Sequence, residues 1–103
     1  MGLMITLDNL RKEIPELCER HQIAYVDAFG SIARGEQRED SDIDLLIEFQ
    51  EPRGEKISTR FFGFLHDLED KYQRKVDVLT EDSLRNPYLI KAVNADRTRI
   101  YRR

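Results

Sequence analysis

Phe29-Gly30-Ser31-Ile32-Ala33-Arg34-Gly35, followed after residues 36–41 by Asp42-Ile43-Asp44 and the apolar run 45–49, is the stretch on which the fold turns. Residues 23–29 (IAYVDAF) read as a strand that runs straight into Gly30. Residues 43–49 (IDLLIEF) are short, β-branched and apolar between polar turns, the pattern of a mostly buried strand. Gly30-Ser31 opens a short helical turn that Gly35 closes. Glycine lets a ligand approach the backbone closely, and free N–H groups at a helix start attract anions. The Ser31 hydroxyl adds a hydrogen bond to a phosphate, and Arg34 adds a positive charge nearby. An ordinary turn is the plainer reading of a Gly-Ser pair taken alone.

Asp42 and Asp44 are two apart at the start of the second strand. Side chains alternate along a strand, so both carboxylates point one way while Ile43 points into the core. Two close carboxylates repel, and one stays protonated unless a cation sits between them. Hard oxygen ligands of this kind suit Mg²⁺, which completes its shell with water and phosphate oxygens. The plainer alternative is a turn of Asp40, Ser41 and Asp42 that caps the strand and leaves Asp44 as an exposed edge residue. A third carboxylate, Asp77, stands between Val76 and Val78 in a third strand over 75–79. Aspartate is disfavoured in strands. Asp77 is either an edge charge that discourages aggregation or the third corner of a carboxylate triad, ligating metal and taking a proton from an attacking hydroxyl.

Outward from this centre the pattern is helical. Leu7, Leu10, Ile14 and Leu17 recur on one helix face within 6–21, and Pro15 either kinks one helix or opens a second. Ile57, Phe61, Phe64, Leu65, Leu68 and Tyr72 form a core-facing stripe over 57–72. Pro52 and Gly54 make the preceding segment, QEPRGE, a loop. Asn86 and Pro87 read as the cap and first residue of a last helix ending near Asn94. The order helix, strand, strand, helix, strand, helix predicts an α/β (α+β) fold: a small mixed sheet with helices packed on it.

Composition bounds the function. The chain has 103 residues, 40% apolar and 36% charged, with formal net charge −3. That is one domain over 1–103, too apolar for disorder, and no run approaches the ~20 apolar residues that span a bilayer. A negative balance argues against a general nucleic-acid binder. The opening MGLMITLDNLRKEI lacks the features of a secretory signal, and the single cysteine, Cys18, forms no internal disulfide. These features predict a reducing, cytoplasmic setting. Cys18 lies beside the first helical stripe and reads as core. His21 and His66 read as separate surface residues, and Arg97, Arg99, Arg102 and Arg103 as a basic end that is solvated or, as the alternative, docks on an acidic partner, a phosphate or RNA.

Gly30-Ser31, the ten-residue gap, Asp42-x-Asp44 and the distant Asp77 resemble the nucleotidyltransferase superfamily of DNA polymerase β. The small size and the wording FGSIARGEQREDSDIDLLIEF resemble its minimal members, the MNT domains, from about residue 3 to residue 101. MNT domains are typically antitoxins paired with a HEPN-domain ribonuclease toxin. The resemblance implies a palm-like fold. It implies that Gly30 and Ser31 hold the β- and γ-phosphates of a nucleoside triphosphate, with Arg34 as a further phosphate contact. It implies that Asp42 and Asp44 bind two Mg²⁺ ions, and that Asp77 completes the site and acts as base. The expected reaction moves AMP from ATP to a hydroxyl, a tyrosine on the HEPN partner, which makes the chain one half of a hetero-oligomer. Two other readings stay open: an antitoxin that blocks its toxin by contact alone, and a transferase for small molecules, which should show more chain to wrap its acceptor.

Overall fold

The computed structural model describes residues 4–52, 54 and 56–103. The chain enters through two short helices, α1 (Leu7–Glu13) and α2 (Pro15–Arg20). Thr6 and Asn9 cap α1 reciprocally: Asn9 N donates to Thr6 Oγ1 at 3.1 Å, and Thr6 N donates to Asn9 Oδ1 at 3.0 Å. Of the two roles open to Pro15, the structure selects the first residue of a second helix, where its missing N–H costs nothing. Leu10, Ile14, Leu17 and Cys18 are buried together on one side.

Strands β1 (Ile23–Phe29) and β2 (Ile43–Phe49) flank the short helix α3 (Gly30–Arg34) and pair antiparallel. Helix α4 (Ile57–Tyr72) then crosses over to β3 (Val76–Thr80), which pairs parallel with β2. A parallel neighbour requires such a crossover, and the apolar stripe of α4 packs it onto the sheet. Phe64, Leu68 and Tyr72 are buried, with Ile57, Phe61 and Leu65 half-buried against the core. Of the loop before α4, Arg53 and Glu55 lie outside the described residues. A 3₁₀ turn (Glu81–Ser83) leads to α5 (Pro87–Asp96), which Asn86 caps through bonds to the Tyr88 and Leu89 amides.

The expected order stops at this helix; the structure continues with a fourth strand, β4 (Thr98–Arg102), antiparallel to β1. The sheet order is β3-β2-β1-β4. The supposed solvated basic end is therefore a sheet edge. Thr98, Ile100 and Tyr101 supply the β-forming residues, and Ile100 is buried.

The main core lies on one face of the sheet. Val26 and Ala28 of β1, Ile43, Leu45, Ile47 and Phe49 of β2, and Val76 of β3 are buried there with α1, α2 and α4. The alternate residues face the other way. Along that second face run Tyr25, Asp27 and Phe29 of β1, Asp44, Leu46 and Glu48 of β2, and Asp77 of β3, matched across the strands by register. Helix α5 packs at its β1 side and against α3. This second, more polar face carries the site.

Candidate active site

Register assembles the site. Phe29 pairs with Asp44 across β1 and β2, so Gly30 leaves the sheet beside the Asp44 side chain. Gly30 has φ +72°, a conformation that L side chains adopt only with strain. A Cβ there would lie 2.4 Å from Asp44 Oδ2 and 3.3 Å from its Cγ. Glycine is thus required twice, by the backbone angle and by the approach of the carboxylate. Gly35 ends α3 at φ +71° and faces open space. The Ser31 carbonyl accepts from Glu36 N at 2.9 Å, and its half-buried hydroxyl has no hydrogen-bond partner among the described residues.

Asp44 and Asp77 sit opposite each other in the parallel β2–β3 register. Burial first, then the negative charges of Asp77 and Asp42 and a hydrogen bond with Asp77, push the Asp44 carboxyl up to about 6, against the pull of Lys75. Asp42 precedes β2 and Ile43 between the two aspartates is fully buried, as alternation requires. Ser41, assigned in the plainer reading to a cap with Asp42, instead accepts from Arg38 N at 2.7 Å. The Lys75 ammonium lies 4.0 Å from Asp42 Oδ2 and 3.8 Å from Asp77 Oδ1, a cation set against two of the three carboxylates. Sequence reading passed over Lys75; its position two residues before Asp77, at the strand entry, was the available signal.

The donor chemistry fits a hard divalent ion. Asp44 and Asp77 face each other in register, and Lys75 lies 3.8 Å from Asp77 Oδ1 as a counter-charge. Among the described residues no three His, Cys, Asp or Glu side chains converge as a ready-made metal cage. Mg²⁺ needs none: it is held by one or two carboxylates, with waters and substrate phosphates supplying the rest.

Arg34 spends its charge elsewhere. Its guanidinium donates to Asp96 Oδ2 at 2.7 Å and to Glu36 Oε2 at 3.1 Å, tying α3 to the end of α5.

A second charged network lies on the same face, unread in the sequence. Asp27 is the one buried charged side chain among the described residues. Arg97 Nε donates to it at 2.7 Å, and Arg99 donates to its other oxygen. Arg97 also donates to Glu81, which accepts from Tyr25 Oη at 2.7 Å. Burial opposes the Glu81 charge, but Arg97 and Tyr25 hold the carboxyl below its ordinary range. Burial and the Glu81 bond push the Tyr25 phenol up to about 12. Aspartate in the middle of an apolar strand was as anomalous at Asp27 as at Asp77, and that was the signal for this network.

The reading of His21 as a lone surface residue is corrected. Its Nε2 lies 2.6 Å from Asp67 Oδ2, its side chain is 15% exposed, and Arg20 joins the same carboxylate at 3.2 Å. The cause is α4, which lays Asp67 and Gly63 against the end of α2. His66 is exposed, as expected. Cys18 is fully buried, and burial raises its thiol to about 12, which removes it as a nucleophile.

A sheet covered mainly on one face, with aspartates on neighbouring parallel strands beside a glycine turn, is the architecture of a group-transfer palm. The chain belongs to the nucleotidyltransferase domain family, whose model matches residues 10–100, and is an enzyme of that class. A Methanocaldococcus jannaschii protein named as a candidate protein adenylyltransferase is 40% identical over 84% of this chain and 86% of its own length. The protein adenylyltransferase MntA of Thermococcus cleftensis is 32% identical over 81% of this chain and 85% of its own. Among solved structures, one named as a candidate minimal nucleotidyltransferase superposes with a TM-score of 0.70 at 36% identity, covering 91% of this chain and 95% of that one. A Shewanella oneidensis complex of a tri-AMPylated HEPN toxin with an MNT antitoxin shares the fold, with a TM-score of 0.64 at 14% identity over 95% of this chain and 74% of that one. No helix among the described residues is long and apolar enough to cross a membrane.

Proposed function

We propose that this chain transfers AMP from ATP to a tyrosine hydroxyl of a HEPN-domain toxin and so acts as its antitoxin. The observation that carries the reading is the approach of Asp44 to the Gly30 turn, with Asp77 opposite it in register. Relatives named protein adenylyltransferases, which this chain spans almost fully, support the protein acceptor.

The residues have separable tasks. Gly30 and Ser31 receive the triphosphate: the glycine admits it to the backbone, and the free Ser31 hydroxyl donates to a phosphate oxygen. Asp42, Asp44 and Asp77 are the residues that would hold two Mg²⁺ ions, which when bound supply charge neutralisation at the reacting phosphates. The acceptor oxygen attacks the α-phosphorus and forms the new P–O ester bond. The bond to pyrophosphate breaks, and the hydroxyl proton passes to the Asp77 carboxylate. Arg34, bound to Asp96 and Glu36, reaches a phosphate only by exchanging those partners.

Intact-mass spectrometry of the partner co-expressed with this chain tests the reading. With the wild type, the partner gains the mass of one or more AMP units on a tyrosine. With Asp42→Asn combined with Asp44→Asn, the partner stays unmodified and unneutralised while still co-purifying. A double variant that protects as well as the wild type refutes catalysis as the means of neutralisation and favours inhibition by contact.

A further inference from the structure

On the second face of the sheet, a cleft of about 550 Å³ is lined by Tyr25, Glu81, Arg97, Arg99, Arg102 and Arg103. Its basic character depends on a bulge. The β1–β4 register shifts between Val26 and Asp27, so Arg99 pairs with Asp27 while Arg102, three residues on, pairs with Tyr25. Residues three apart on a regular strand face opposite ways, and the extra residue brings both arginines to one side. Arg97 and Arg99 are consumed by Asp27 and Glu81, and the Arg99 guanidinium stacks on the Tyr25 ring at 4.3 Å. Arg102 and Arg103 are exposed, and neither meets a carboxylate among the described residues. Both residues line the cleft, on a chain whose net charge is −3.

The cleft is aligned with the active site. Tyr25 pairs with Glu48 and Phe29 with Asp44, so four residues of the same two strands separate cleft from carboxylates. At about 3.3 Å per residue this is roughly 13 Å, and both ends open on the same sheet face. We propose that this cleft docks an acidic segment of the protein acceptor, holding its carboxylates on Arg102 and Arg103 while the acceptor hydroxyl lies at Asp44 and Asp77. The inference rests on the protein-adenylylation reading and adds to it the chemistry of the docked segment: carboxylates about four extended residues from the modified tyrosine. Guanidinium forks match carboxylates in charge and shape. A nucleic-acid strand is disfavoured on the same geometry. Its evenly spaced phosphates would cross Glu48, Asp44 and Asp77, whereas an acidic patch of two or three residues ends within the cleft.

Fluorescence anisotropy at low salt tests the inference. The probe is a labelled peptide with one tyrosine and, four residues on, three glutamates; controls are its glutamine counterpart and a single-stranded uridine decamer. The wild type binds the glutamate peptide in preference to both controls. Arg102→Glu combined with Arg103→Glu weakens that binding at least tenfold and flattens its salt dependence, while Tm is unchanged because neither side chain has an ion-pair partner among the described residues. Arg102→Gln combined with Arg103→Gln gives an intermediate loss. No binding, equal binding of the glutamine peptide, or an arginine-dependent preference for the decamer overturns the proposal. A Tm rise with ATP and Mg²⁺, measured on the same proteins, reads the catalytic site separately. That rise without arginine-dependent peptide binding refutes the docking cleft alone. Peptide binding without the rise refutes the transferase reading and leaves the cleft standing as an interaction surface.

Discussion

Gly30→Ala and Gly35→Ala form a matched pair that isolates the approach of Asp44 to Gly30. Both glycines sit in the left-handed region, at φ +72° and +71°. An alanine at either position therefore meets the same backbone cost, about 1–2 kcal/mol. For a domain of this size each kcal/mol lowers Tm by roughly 4–8 °C, so both variants should melt roughly 4–16 °C below the wild type. Their surroundings differ. A Cβ at Gly35 meets nothing within 4 Å, whereas one at Gly30 meets Asp44 Oδ2 at 2.4 Å. Ordinary carbon contacts begin near 3.5 Å, so the Asp44 carboxylate must retreat by about 1 Å. A displacement of that size at a reacting centre costs about 10²-fold in rate. The expected result is two destabilised proteins, Gly30→Ala more so because its Cβ also meets Asp44, of which only Gly30→Ala loses AMP transfer to the partner by about two orders of magnitude. Transfer is assayed with labelled ATP well below both melting temperatures. Equal activity in the two variants refutes the argument that the approach of Gly30 to Asp44 is functional.

Two further outcomes follow from the electrostatics. Because the folded Asp44 carboxyl lies at about 6, above its ordinary 3.8, its contribution to stability is full below pH 3.8 and is lost as pH rises through 6. In chelator-treated protein, Asp44→Asn should match the wild type in Tm near pH 4 and exceed it at pH 7.5. Asp67 and Glu81, whose carboxyls are held low, contribute with the opposite sign in both proteins and cancel in the comparison. A Tm difference that does not change with pH defeats this account. Asp27→Ala strips the counter-charge from Arg97 and Arg99. It should cost about 3 kcal/mol in urea unfolding, the low end for a broken buried pair, since those side chains remain 25% and 43% exposed. A loss below about 1 kcal/mol shows that solvent replaces Asp27.

Elements whose signal is local can be read from neighbouring residues. Asn86-Pro87 marks a helix start because asparagine caps and proline fits a first turn, whereas Pro15 left a kink and a new helix both open until the fold selected the helix start. The stripe from Ile57 to Tyr72 carries the 3.6-residue period of a helix, and the runs IAYVDAF and IDLLIEF are short and largely apolar, as buried strands are. Alternation alone put Asp42 and Asp44 on one face with Ile43 beneath. What depends on register between distant segments emerges with the assembled sheet. Pairing of β2 with β3 set Asp77 opposite Asp44, and pairing of β1 with β2 brought Gly30 onto the Asp44 carboxylate. The arginines at the C-terminus look like a solvated tail in one dimension. They become a sheet edge because Asp27, some 70 residues earlier, is buried next to them and a charge in that position must be paired. Arg34, adjacent to the Gly30-Ser31 turn in sequence, is drawn to Asp96 by the packing of α5, and His21 is drawn from the surface to Asp67 by α4. Periodicity is written in neighbouring residues, but the partner of a charge is fixed by which strands and helices come to lie side by side, and no stretch of the chain records that alone.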